Sequence, residues 1–494
     1  MDFTVLIFLT SGLFLGWSLG ANDAANVFGT AVGTRMVQFT TAAIVGSIFI
    51  VLGSVLSGAG AAHTLGKLGS INALAGSFMA ALAAATTVYA MTKLELPVST
   101  SQAIVGAIIG WNLFSGSVTD LNALTKILLT WVACPVLAAV IAAPLYLGVE
   151  KYLRWAKLHI LSRDVYTRIA LILAGAFGSY SLGANNIANV MGVFVPASPF
   201  TDFTFAGGYT FTGIQQLFLL GALAIAVGVF TYSKRVMLTV GGGLMPLSPI
   251  AAWVVVISHS IVLTLFASEG LEHFLASNGL PTIPLVPVSS SQAVVGAVIG
   301  IGLLKGGRNV RWRVLGNISM GWVTTPVISA IICFVSLFVL QNVFNQKVYT
   351  EVHFTLSSDV MDHLVERSLP VEDLAEMRDE DYRSAREFLA AIGERTYLTG
   401  YQQEEILEIA EIADLAITAE LVGTLEADWL TQNQITALWR LSGQHFDTKW
   451  ALAEALEAIS EEWRALPRDL KNKTYNKQLE AKLDFVYRTF TVNQ

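Results

Sequence analysis

Charge is scarce in this chain. Of 494 residues only 14% are Asp, Glu, Lys or Arg, while 54% are hydrophobic, and the mean hydropathy is +0.58. A surface wholly in water needs more charge than this, so an ordinary soluble protein is excluded. Cysteine is almost missing. Cys134 and Cys333 both lie in apolar runs, which excludes a disulfide framework and a thiolate metal cluster. There is no basic tract and the net charge is −7, so nucleic acid is not an expected partner. No nucleotide-binding signature occurs. Gly241-Gly242-Gly243 is not followed by Lys-Ser/Thr, which disfavours a nucleotide-driven pump and leaves the triplet as a candidate hinge.

The charge that exists is unevenly divided. Residues 1–340 hold 15 basic and 9 acidic residues, whereas residues 341–494 hold 15 and 28. An apolar, slightly basic body therefore precedes an acidic, water-compatible tail, with the boundary near Asn342–Lys347. In the body, Thr41–Gly60, Ile71–Thr92, Leu121–Leu147, Gln215–Tyr232 and Ser319–Leu340 are almost free of charge. Each approaches or exceeds the ~20 residues that cross a bilayer as helix. Helix is the expected form, because lipid offers no partner to a free backbone group. Met1–Gly16 lacks a basic leader and a clear cleavage site, so it reads as the first span.

The body repeats itself. Ser18–Asn26 reads S-L-G-A-N-D-A-A-N, and Ser181–Asn189 reads S-L-G-A-N-N-I-A-N. Leu96–Gly110 reads L-P-V-S-T-S-Q-A-I-V-G-A-I-I-G, and Val286–Gly300 reads V-P-V-S-S-S-Q-A-V-V-G-A-V-I-G. A weaker pair is Trp131–Pro135 with Trp322–Pro326, and the order is the same in both halves. The spacing grows along the chain, so the second half carries an insertion. Duplicated membrane units are the mark of a secondary transporter. The expected organisation is a first repeat over 1–150, a cytoplasmic loop over 151–168, a second repeat over 169–342 and a soluble helical domain over 343–494. If each unit crosses five times from an outer Met1, 13 of the 15 basic residues of the body fall in the cytoplasm; only Lys67 and Lys126 fall outside. Odd parity makes the two repeats inverted and puts the N-terminus and the tail outside the cell.

Two kinds of motif carry chemistry. The first is Gly20–Asn26, inside a span. Gly, Asn and Asp weaken a helix there, so an unwound break is expected, exposing carbonyls and N–H groups to ions. Asp23 is the sole acid in the apolar body of that span. Leaving it ionised and unpaired costs roughly 2.5–3.5 kcal/mol, a cost that a cation or a proton removes; the bland alternative is a hydrogen bond between helices. In the second copy Asn186 takes its place, keeping oxygen ligation without the charge. The second motif is Pro97–Gln102 with Pro287–Gln292: proline, then three hydroxyls, then an apolar helix. Proline ends the preceding segment, and Ser and Thr favour the helix start. A helix N-terminus in a low-dielectric setting attracts an oxyanion. Two such tips meeting near the midplane would offer six hydroxyls to a tetrahedral anion; one alone would read as an ordinary cap. Co-bound cations would then supply the missing positive charge. His63 and His259 read as satisfied structural residues, with a proton relay as the lesser option. Glu95 is either a gate or a loop carboxylate. Trp17, Trp111, Trp131, Trp253 and Trp322 read as interface anchors or packing.

The doubled G-A-N-D-A-A-N/G-A-N-N-I-A-N and P-V-S-T-S-Q/P-V-S-S-S-Q signature resembles the inorganic phosphate transporter family over about residues 1–342. The resemblance implies an all-helical transporter of inverted repeats, with broken helices and Ser-rich half-helix tips. It implies phosphate carried with sodium or protons, by a homodimer in a prokaryotic plasma membrane, without a resident cofactor. By motif position it implies phosphate ligands from Ser99, Thr100, Ser101, Gln102, Ser289, Ser290, Ser291 and Gln292. Cation or coupling roles fall on Asn22, Asp23, Asn26, Asn185, Asn186 and Asn189, with sodium at Asp23, Asn22 and Asn186. Many members carry His where this chain has Gln102 and Gln292, and losing that titratable group favours sodium over protons. The intact G-A-N-D form favours phosphate over sulfate.

The tail resembles nothing familiar. Leu452, Leu456, Ile459 and Trp463 recur at helical spacing, Tyr401–Leu421 reads as another helix, and Leu466-Pro467 interrupts a third. Its acidity reads first as a solvated surface. The leading function is sodium-coupled import of phosphate by alternating access. The alternatives are proton coupling or another tetrahedral oxyanion, and a phosphate sensor that signals through the tail. An intramembrane hydrolase is disfavoured, since no His or Lys base keeps a fixed spacing from a Ser in both copies.

Overall fold

The computed structural model describes residues 3–492 apart from 70, 95–97, 197, 199, 201, 206–209, 308, 309, 370, 424, 426–428 and 468; the side chains of 3, 4, 63, 204 and 239–243 are not described either. Glu95, Pro97 and the side chains of His63 and the glycine triplet therefore lie outside the described residues. The chain divides into two units. One comprises Met1–Phe114, Thr119–Glu272 and Ile283–Tyr349; the other comprises Ser115–Val118, His273–Thr282 and Thr350–Gln494. The first unit reaches beyond its last helix: Trp111, fully buried, donates through Nε1 to Val348 O at 3.0 Å.

The first unit is built from α1 (Phe3–Asn22), α2 (Ala24–Gly33), α3 (Phe39–Ser57), α4 (Ala59–Leu68), α5 (Leu74–Lys93), α6 (Thr100–Ser115), α7 (Leu121–Ala156), α8 (Ile160–Met191), α9 (Gly213–Thr231), α10 (Ser233–Gly243), α11 (Pro249–Leu265), α12 (Glu269–Ser277), α13 (Ser290–Leu304) and α14 (Trp312–Asn342). Seven spans among the described residues are long and apolar enough to cross a membrane; α11 and α12 are bent by 61°, and α13 is shorter. The element order of the first half recurs in the second. The insertion falls in two places: a two-stranded hairpin (β1, Phe203–Thr204, with β2, Thr210–Phe211) before α9, and α12 with its following loop before α13.

Equivalent contacts are made twice with the halves exchanged. Trp17 Nε1 on α1 donates to Thr231 Oγ1 on α9 at 2.8 Å, and Tyr180 on α8 hydrogen-bonds Ser57 on α3 at 2.7 Å. Between those helices the backbones touch. A Cβ on Gly20 would stand 2.0 Å from Ile225 O, and one on Gly183 2.2 Å from Ile50 O. The short helices do the same against the proline-bearing long helix of the opposite half: Gly106 on α6 would meet Pro326 O at 2.1 Å, and Gly296 on α13 would meet Pro135 O at 2.1 Å. Lipid tails are as apolar as leucine, so membrane helices associate by such close packing rather than by hydrophobic burial. Each Ser-rich tip is therefore held by the other repeat.

The expected unwinding at the first motif is reduced to one residue. Helix stops at Asp23 and resumes at Ala24, yet Asp23 N still donates to Leu19 O at 2.7 Å; α8 runs through Ser181–Asn189 without interruption. The polar side chains find partners on neighbouring segments, which leaves their own helical ladders intact. The larger breaks lie ahead of the hydroxyl clusters, between α5 and α6 and between α12 and α13.

In the second unit, α15 (Ser358–Glu366), α16 (Ala385–Gly393), α17 (Gly400–Ala410), α18 (Ala419–Gly423), α19 (Gln432–Arg440), α20 (Lys449–Ile459) and α21 (Lys473–Phe490) are joined by short strands. A wholly helical tail is thus corrected: β3 (Phe354–Thr355) pairs with β4 (Asp381–Tyr382), and β5 (Ile412–Ala416) with β6 (His445–Thr448), both antiparallel. The single helix expected over Tyr401–Leu421 is α17, β5 and α18. Leu415 and Ile417 are buried while Ile412 is exposed, and pairing with β6 overrides the local preference for helix. Two small cores result, one around Leu356, Leu364 and Phe388, the other around Leu415, Leu452, Leu456 and Trp463.

Candidate substrate site

All fourteen side chains singled out in the sequence are buried, none more than 3% exposed. Four elements hold them: the α1–α2 junction carries Asn22, Asp23 and Asn26; α8 carries Asn185, Asn186 and Asn189; the starts of α6 and α13 carry the two hydroxyl clusters. The tips meet. Ser101 Oγ on α6 donates to Val288 O, one residue before the second cluster, at 3.2 Å. The same hydroxyl accepts from Asn189 Nδ2 at 2.8 Å and lies 3.4 Å from Asn186 Oδ1. On the other side, Asn26 Nδ2 donates to Ser290 Oγ at 3.4 Å. Thr100, in the first turn of α6, flanks the Asp23 carboxyl.

The six hydroxyls divide by role. Ser99 Oγ accepts from Gln102 N and Ser289 Oγ from Gln292 N, both at 3.3 Å, so these two cap their own helices. Thr100, Ser101, Ser290 and Ser291 cap no helix: Ser101 and Ser290 bond other elements, and Ser291 lies 3.1 Å from Ser289. The asparagines divide too. Asn185 donates through Nδ2 to Val286 O at 3.0 Å and accepts through Oδ1 from Val288 N at 2.8 Å. Both ends of its amide thus hold the extended segment that delivers α13. Its counterpart Asn22 donates to Thr92 Oγ1 at 2.8 Å, and its Oδ1 has no partner among the described residues.

Other oxygens around the cluster are likewise buried and unpartnered among the described residues: Asp23 Oδ1, Gln102 Oε1, Asn189 Oδ1 and Gln292 Oε1. Each such acceptor costs about 1–3 kcal/mol if left bare. Oxygen atoms without hydrogen-bond donors suit a hard cation, and hydroxyls at two helix N-termini suit an anion. His259, expected as a satisfied structural residue, does find a partner in this cluster. It is fully buried on α11, and its Nε2 lies 2.9 Å from Ser290 Oγ. A lone histidine in an apolar run gives no signal of this; only the fold brings α11 to α13.

Comparison with known proteins gives the family. The sequence profile of the phosphate transporter family matches residues 19–333. A Methanocaldococcus jannaschii protein is 30% identical over 336 residues, covering 68% of this chain and 97% of that protein. A Pyrococcus horikoshii protein is 25% identical over 407 residues, covering 67% and 96% respectively; both bear the name “Putative phosphate permease”. A solved structure titled “The sodium-dependent phosphate transporter” shares the fold at a TM-score of 0.52 and 24% identity, over 68% of this chain and all of that one. With its apolar spans, its doubled motif and these relatives, the chain is a multi-pass membrane protein that belongs to the phosphate transporter family, a family of transporters rather than enzymes.

Proposed function

We propose that the protein imports inorganic phosphate across the plasma membrane together with sodium, as a homodimer working by alternating access. The observation that carries this reading is the composition of the buried cluster: hydroxyls that cap no helix at two adjoining helix tips, ringed by amide and carboxylate oxygens of which several lack donors among the described residues. Phosphate would take Thr100, Ser101, Ser290 and Ser291. Sodium would take oxygens of Asp23, Asn22 and Asn186, with Gln102 and Gln292 at the margin of both sites. Asp23 is an intramembrane acid whose charge a cation would balance. With phosphate alone the site would gather uncompensated negative charge; with sodium alone the hydroxyl donors would stay unused. Mutual dependence of the two ligands follows from that electrostatics.

The symmetry of the contacts suits alternating access. Each tip is anchored on the opposite half through Gly106 on Pro326 and Gly296 on Pro135, so exposure can change while the tips stay together. The buried state of all fourteen residues fits a closed form between the outward and inward ones. The test is radiolabelled phosphate uptake into proteoliposomes with sodium and pH gradients imposed separately. The reading requires uptake to follow the sodium gradient and to persist when only the pH gradient is collapsed. Uptake that follows the pH gradient alone refutes sodium coupling.

A further inference from the structure

We infer that His259 is a positioning residue that turns the Ser290 hydroxyl into a fixed donor for the bound oxyanion. The inference rests on the phosphate cradle proposed above and deepens it. Ser290 Oγ has two nitrogen neighbours: Asn26 Nδ2 at 3.4 Å, which can only donate, and His259 Nε2 at 2.9 Å. The imidazole is fully buried, and its Nδ1 has no partner among the described residues.

That pattern selects a tautomer. A neutral imidazole carries one proton. On Nδ1, that proton would be a buried N–H without an acceptor; on Nε2, it leaves Nδ1 as a bare lone pair. Orphaned buried donors are rarer than under-satisfied acceptors. With the proton on Nε2, Ser290 Oγ accepts from both His259 and Asn26. Its own O–H then points away from both, toward the occupant of the cradle. Were the proton on Nδ1, Nε2 would instead accept the serine proton and draw it away from the anion. The imidazole therefore fixes the direction of one donor without touching the substrate.

The device is one-sided. In the first repeat the counterpart of α11 is α5, which carries the buried run Ala83-Ala84-Ala85 and no imidazole, and the counterpart of Ser290 is Thr100 beside Asp23. The Thr100 hydroxyl stands beside a carboxyl. The hydroxyl in the other half is held by His259. Two pseudo-equivalent tips thereby meet the anion with different groups behind them.

The test measures the phosphate KM of uptake, and protein abundance in the membrane, for His259→Met, His259→Gln, Ser290→Ala and the H259M/S290A pair. Losing one oriented donor should raise KM about five- to tenfold in H259M and in S290A, the scale of a single hydrogen bond. The double variant should be no worse than S290A, because the histidine acts only through that hydroxyl. H259Q, whose amide can donate at the Nε2 position, should recover most of the loss. Should H259M fail to reach the membrane, His259→Asn, too short to reach Ser290, replaces it with the same expected rise. An unchanged or lowered KM in H259M, or effects that multiply in the double variant, overturns the inference while leaving the cradle in place. An unchanged KM in S290A removes the donor itself and overturns both.

Discussion

Replacing Asp23 by Asn separates the charge of the site from its shape. Asp23 is 2% exposed, it sits at the one-residue stop between α1 and α2, and its Oδ1 has no partner among the described residues. Asparagine keeps the volume and one carbonyl oxygen, as the second repeat does with Asn186, and removes only the charge. An unpaired ionised acid in a membrane interior costs about 2.5–3.5 kcal/mol. A cation that relieves this cost binds tighter by the same amount, about 60- to 300-fold at ~1.4 kcal/mol per tenfold. Two readouts follow. Half-saturating sodium for phosphate uptake should rise by that factor, which abolishes transport at ordinary sodium. Sodium should also raise the melting temperature of the detergent-solubilised wild type but not of D23N, since only a ligand of the native state stabilises it. Without sodium, D23N should melt higher than the wild type, having lost an uncompensated buried charge. Unchanged half-saturating sodium in D23N, with the protein present at normal abundance, would sink the assignment.

Other expectations follow from particular contacts. Ser101→Ala and Ser291→Ala should each weaken phosphate binding about five- to tenfold by equilibrium dialysis; unchanged affinity in both removes the anion pocket. Gly106→Ala and Gly296→Ala each drive a Cβ to 2.1 Å from a proline carbonyl oxygen, whereas Gly148→Ala and Gly316→Ala meet nothing within 4 Å. The first two should cost about 1–3 kcal/mol and depress uptake, and the second two should be silent in both thermal melts and uptake. In the tail, hydrogen bonds from Thr431 and Asn433 hold the Glu462 carboxyl below its ordinary value of 4.5. The folded tail then binds that proton more weakly than the unfolded chain. Its stabilisation is present above the unfolded value and is lost as pH falls through the lowered native one. Amide exchange in α19, corrected for intrinsic rates, should accelerate as pH drops below 4.5 in the wild type and show a flatter dependence in E462Q. Deleting residues 350–494, the segment after Tyr349, should leave phosphate uptake in place; its loss, with normal membrane abundance, would show that transport depends on the tail.

The amino-acid sequence by itself determined that the protein lives in a membrane, that its body is duplicated, and which short motifs carry the chemistry. Those properties are written in runs of apolar residues, in repeated strings and in polar residues placed where lipid makes them costly, all of which are local. The two Ser clusters were legible because a proline, hydroxyls and an apolar helix stand next to one another in the chain. The tertiary structure decided what depends on partners far apart in sequence. It divided Ser99 and Ser289, which cap helices, from Ser101 and Ser290, which face other elements. It committed Asn185 to the backbone around Val286 and Val288, and it kept α8 whole where its composition pointed to a break. It also turned Tyr401–Leu421 into helix, strand and helix, because β6 lies alongside. His259 shows the reason most plainly. Nothing in its own neighbourhood marks it, and its meaning comes from a serine 31 residues away that the packing of two helices brings to 2.9 Å.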